Sequence, residues 1–152
     1  MSNAIIYFES VDEVIAIHKK TVEVSGGGED GVRDTHSLIA ALAHIQNDDY
    51  YPTFEAKLTH LFFVANKSHC FVDGNKRIAI SLGMKFLLNN GYLYVIQKFA
   101  HQMEMVSYQV ASNNIDKDLL LEIVDSIINE EDYSESLKIR IANCIKDVSI
   151  IT

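Results

Sequence analysis

Nine consecutive residues, His69-Cys70-Phe71-Val72-Asp73-Gly74-Asn75-Lys76-Arg77, place together the side chains that phosphate chemistry needs. His69 is of the one type that titrates near neutrality, and it can take a proton from an attacking hydroxyl. Asp73 offers a hard oxygen ligand, and magnesium commonly takes one or two carboxylates and completes its shell with phosphate oxygens. Gly74 lets the backbone approach a ligand closely, so the amides from Gly74 through Asn75 to Arg77 can form a nest around phosphate. Lys76 and Arg77 add charge, Arg77 as a planar fork suited to phosphate oxygens. Singly, each residue has an ordinary structural reading: a capping histidine, an Asp-Gly turn, a solvated Lys-Arg pair. Together they supply a base, a metal ligand and an anion cradle.

Such a cradle requires a helix start, because the first turn leaves about four amides unpaired and carries a partial positive charge. The pattern predicts one near Lys76 or Arg77, since Ile78 to Leu88 is apolar nearly all round, as befits the central helix of a bundle. Asn89-Asn90-Gly91 ends it, with Gly91 in the left-handed conformation. Before the loop, Thr53 caps a helix that buries Leu58, Leu61, Phe62 and Ala65 and ends near Lys67. Upstream, Ser10-Val11-Asp12-Glu13 reads as a capping box for a helix over 11–24, which Gly26-Gly27-Gly28 stops. Asp34 or Thr35 caps a second helix through Leu38, Ile39 and Leu42. Downstream, Tyr92 to Ile96 has the composition of a short strand. Helices follow over about 99–111, 117–129 with Asp116 as cap, and 134–148.

A chain of 152 residues with 48% hydrophobic content and one proline suits a single all-α domain. The formal charge of −8 and the absence of a basic run argue against direct nucleic-acid binding, although a local Lys76-Arg77 pair can still hold a nucleotide. Cys70 and Cys144 are too few for a disulfide scaffold and lack zinc-site spacing. No leader-like segment and no apolar run of about 18 residues occurs, so the expectation is a cytoplasmic protein without membrane association. Self-association as a homo-oligomer stays open.

At the nine-residue segment a resemblance becomes specific. It is similar to the Fic/Doc signature, His-Pro-Phe-x-Asp/Glu-Gly-Asn followed by Gly or Lys and then Arg, matching at His69, Phe71, Asp73, Gly74, Asn75, Lys76 and Arg77. Gly26-Gly27, Gly31-Val32-Arg33-Asp34 and Leu38 to Leu42 resemble the N-terminal pattern of the death-on-curing (Doc) branch, so the likeness covers most of 8–130. It implies a helical bundle with a catalytic domain over 1–130, leaving 131–152 as an additional C-terminal helix packed on it. It implies His69 as the base on a target hydroxyl, Asp73 as the magnesium ligand, and Asn75, Lys76 and Arg77 as holders of ATP phosphates, with Phe71 anchoring the loop. Adenylyl-transferring relatives usually have glycine at the position of Lys76 and a second arginine at that of Ile80. A lysine there implies the Doc reaction, transfer of the γ-phosphate to a protein threonine or serine. The family's known target is elongation factor Tu, and its control is a cognate antitoxin.

Cys70 departs from the signature's proline, whose fixed φ would stiffen the loop, so a looser loop with lower activity is one expectation; for the thiol, a buried inert group is preferred over a redox-sensitive one. Ser25 to Glu29 and Ser126 to Glu130 fit only the first part of the family's inhibitory motif and read as chance. Two competing readings are adenylyl transfer and a noncatalytic protein that binds nucleotide or antitoxin. A zinc site is weaker still, because the six histidines show no H-E-x-x-H spacing.

Overall fold

The computed structural model describes residues 4–24, 31–68, 70 and 75–151, with side chains to residue 145. Seven α-helices are found among the described residues: α1 (Val11–Val24), α2 (His36–His44), α3 (Phe54–Lys67), α4 (Asn75–Asn89), α5 (Ile96–Ala111), α6 (Lys117–Asn129) and α7 (Glu135–Ile151). The all-α expectation holds. None of these helices is long and apolar enough to cross a membrane.

Local chemistry sets most helix ends. Thr53 and Asp116 are extended caps whose side chains accept from Ala56 N–H at 3.1 Å and Leu119 N–H at 2.8 Å. Ahead of α2, Asp34 rather than Thr35 supplies the side-chain contact, with Oδ1 accepting from His36 N–H at 2.9 Å. At α1 the capping glutamate reaches one residue further back than a capping box requires, to Glu9 N–H at 3.0 Å. Gly91 ends the α4 connection at φ 84°, in the left-handed region. The glycines expected to stop α1 lie outside the described residues.

The strand expected at Tyr92 to Ile96 is not formed. Leu93–Val95 makes one 3₁₀ turn, and Ile96 already begins α5, three residues before the expected start. The reason is tertiary: the Tyr92 ring stacks on Phe54 at 4.6 Å and 15°, and Val95 is buried, which turns the chain directly into the bundle.

Helix α4 lies at the centre, packed against α1, α3 and α5. It buries Ile78, Ala79, Leu82, Phe86 and Leu87, and α3 answers with Leu58, Leu61, Phe62 and Ala65. Phe86 stacks on Phe54 at 4.8 Å and near Phe8 at 5.9 Å. The N-terminal segment is fastened to the end of α4 by Asn90, whose side chain accepts from Ile6 N–H at 2.8 Å and donates to Ile6 O at 3.0 Å. Lys57, 1% exposed, ties α3 to the end of α2 by donating to Ile45 O at 2.6 Å and Asp48 Oδ1 at 2.7 Å. Helix α7 contributes Leu137 and Ile141 to the core and forms a bidentate ion pair from Arg140 to Glu122 of α6.

Candidate active site

The loop of interest joins α3 and α4, which pack directly against each other. Its start is firmly held. Ser68 closes α3, with its N–H and hydroxyl donating to Val64 O at 3.0 and 2.6 Å, and its oxygen lies 3.0 Å from the Cys70 sulfur. The Cys70 carbonyl accepts from Arg33 N–H at 2.8 Å and Asp34 N–H at 3.1 Å, so the segment before α2 clamps the loop. Cys70 is 2% exposed. The stiffness that a proline would supply through its fixed φ comes here from two backbone hydrogen bonds and burial, and the reading of Cys70 as a buried thiol agrees with its position.

His69, Phe71, Asp73 and Gly74 lie outside the described residues. Asn75 is the first residue of α4, one position earlier than expected, which puts Lys76 and Arg77 second and third in the first turn. A first turn presents amides with no intrahelical acceptor and the positive end of the helix dipole. Two cationic side chains thus stand on the part of a helix that anions prefer.

The two cations have different surroundings. Lys76 is exposed, and its Nζ lies 5.3 Å from the ring centroid of Tyr108 on α5, an attractive cation–ring contact that restricts where the amine points. Arg77 is half-buried and lines a groove of about 600 Å³ between α1 and α4, together with Lys20, Thr21, Ile80 and Ser81. Across its floor Thr21 Oγ1 donates to Ile17 O at 2.7 Å and lies 3.1 Å from Ser81 Oγ. Ile80 puts apolar surface where a second arginine would add charge. At the end of α3, Lys67 Nζ contacts the side chain of Asn113, whose φ of 65° makes the left-handed turn between α5 and α6.

Neither Tyr108 nor Lys20 stood out in the sequence. Tyr108 follows Lys76 by thirty-two residues, and only the antiparallel return of α5 along α4 brings them together. Among the described residues, no three His, Cys, Asp or Glu side chains converge on a point where they could hold a metal.

Comparison with known proteins agrees with the signature. A family model described as "Fic/DOC family" matches residues 8–87. Toxin Doc of Mycolicibacterium smegmatis is 33% identical over 99 residues, spanning 62% of this chain and 76% of that protein. No solved structure matches significantly.

Proposed function

Since this chain belongs to the Fic/DOC family, within its Doc toxin branch, we propose that it is the toxin of a toxin–antitoxin pair and transfers the γ-phosphate of ATP to a threonine or serine hydroxyl of a target protein. The observation that carries this reading is the Lys76-Arg77 pair in the first turn of α4, beside a groove that Arg77 lines. Elongation factor Tu is the target to try first. A cognate antitoxin is the expected partner.

In this mechanism His69 takes the proton of the acceptor hydroxyl as its oxygen attacks the terminal phosphorus. The bond from that phosphorus to the bridging oxygen of ADP breaks, and negative charge accumulates on the departing diphosphate. Asn75 and the first-turn amides of α4 hold phosphate oxygens, and Lys76 and Arg77 meet the developing charge, where preorganised donors contribute most. Tyr108 limits the directions open to the Lys76 amine. Asp73 would hold magnesium, a reading that suits a cradle whose ligand brings its own phosphate oxygens to complete the metal shell. When bound, the metal supplies charge neutralisation to the phosphates.

The purified protein incubated with elongation factor Tu and with cell lysate, using ATP labelled at the α or the γ phosphate, tests the reaction. Label from γ is the expected result. Label from α means adenylyl transfer, and no label on any protein means a binding protein without turnover. Expression should slow growth, and His69→Ala should relieve it, with a loss of transfer of about 10²–10⁴-fold for a missing general base. Toxicity unchanged in that variant refutes His69 as the base.

A further inference from the structure

Helices α1 and α4 run antiparallel, since Asn90, just past the end of α4, holds Ile6 ahead of α1 by hydrogen bonds of 2.8 and 3.0 Å, and Thr21 meets Ser81 farther along. The groove of about 600 Å³ between them therefore has a direction. Val24 and Arg77 lie at the end beside the phosphate cradle, Thr21, Ile80 and Ser81 in the middle, and Ile17 and Lys85 at the far end. Lys85 follows Arg77 by eight residues of helix, or about 12 Å.

The walls of this groove combine two kinds of chemistry. Ile17 and Ile80 supply half-buried apolar surface, and Val24 is 72% exposed. Lys20 and Lys85 are exposed and Arg77 is half-buried, so three cations face one acid, Glu104 of α5, in a chain whose formal charge is −8. Other cations of the protein are matched by carboxylates: Lys57 by Asp48, Lys138 by Asp132 and Glu135, Arg140 by Glu122. Lys20 and Lys85 make no ion pair among the described residues. An apolar strip bordered by unmatched positive charge is complementary to a segment that carries both apolar and acidic side chains.

We propose that this groove docks an acidic, partly apolar segment of the phosphate-accepting protein, with carboxylates meeting Lys20 and Lys85 and apolar side chains lying on Ile17, Val24 and Ile80. The inference rests on the transfer reaction proposed above and adds what selects its acceptor. The groove runs along α4 away from the first turn, so its occupant leaves the first-turn amides open to ATP; an inhibitor of nucleotide binding would have to cover that turn instead. An extended chain advances about 3.3 Å per residue, so a carboxylate about four residues from the acceptor hydroxyl reaches Lys85 when the hydroxyl stands at the cradle. Complementary charge of this kind acts on partner choice and encounter rate more than on raw affinity.

The test begins with three fluorescein-labelled peptides: a central threonine flanked on each side by alternating Leu and Glu, and its counterparts with Gln or Lys in place of Glu. Each is titrated against the full chain by fluorescence anisotropy, a readout that needs no transfer. The Glu peptide should bind about three- to tenfold more tightly than the Gln peptide, the effect of two exposed charge pairs, and the Lys peptide should bind most weakly. Lys20→Glu combined with Lys85→Glu should reverse the order, a result that misfolding cannot produce. Equal binding of the three peptides by the parent protein overturns the proposal, as does an unchanged order in a double variant that melts with the parent. Sites labelled in cell lysate from γ-labelled ATP are then mapped. They should carry Asp or Glu within about four residues more often than the unmodified threonines and serines of the same proteins. Labelled sites without that enrichment overturn the acceptor as the occupant and assign the acidic preference to another partner, such as the antitoxin. Absence of any label refutes the transfer reaction and with it the acceptor, while the peptide titrations separately decide the charge preference of the groove.

Discussion

Gly83→Ala probes whether the position of α4 against α5 governs both stability and transfer. A Cβ at residue 83 would lie 2.5 Å from both Cε1 and Cζ of Phe99 and 3.5 Å from Leu58 Cδ1. Carbon atoms at rest are about 3.5–4.0 Å apart, so roughly 1 Å of separation has to be made. The Phe99 ring has little room to yield, being fully buried and set edge-on to Phe62 at 5.9 Å. Overpacking of this kind costs about 1–3 kcal/mol, and against a ring this confined the upper part of that range, about 2–3 kcal/mol, applies, while alanine recovers about 1 kcal/mol of helix propensity over glycine. The net loss should be about 1–2 kcal/mol, or a fall in melting temperature of about 2–8 °C for a chain of this size. Arg77 lies about 9 Å along the same helix, so a displaced α4 should also reduce γ-phosphate transfer. Circular dichroism melting and the labelled-ATP assay read the two effects. In a double-mutant cycle, Gly83→Ala combined with Phe99→Leu should cost less than the sum of the two, by about 1 kcal/mol, because the smaller side chain makes room for the methyl. A Gly83→Ala protein that melts at or above the parent temperature refutes the reasoning.

Acid should destabilise the fold through His60, which burial, Lys117 and His44 lower from 6.5 to about 4. The unfolded chain then binds the extra proton, so stability is level above about pH 6.5 and declines towards pH 4, by at most about 3 kcal/mol from this group. Urea unfolding at pH 7 and pH 5 should show that decline, and it should be smaller in His60→Gln; identical slopes in the two proteins would contradict it. Asp116→Ala should cost about 1 kcal/mol in the same titration, because the Leu119 amide loses its 2.8 Å acceptor, whereas Asp116→Asn should retain most of the stability. Equal losses in both variants would show that the cap is not the cause.

Features that depend on near neighbours in the chain were legible without coordinates. Thr53 and Asp116 cap the helices they precede, α1 and α6 begin and end at the expected residues, and Gly91 adopts the left-handed turn, because each contact spans only a few residues. The apolar character of 78–88 likewise placed α4 at the centre. The nine-residue signature was legible for the same reason, its functional groups being adjacent in sequence. Tertiary structure decided what adjacency could not. Tyr92 to Ile96 has strand composition but no partner strand among the described residues, and the stack of Tyr92 on Phe54 turned it into the approach to α5. The hold on Cys70 comes from Arg33 and Asp34, and the ring over Lys76 comes from α5. His60 and Lys117 stand fifty-seven residues apart in the chain and 2.6 Å apart in the fold. No local pattern encodes such a pair, because it follows from how α6 lies across α3, and its altered proton affinities arise only once that contact excludes water.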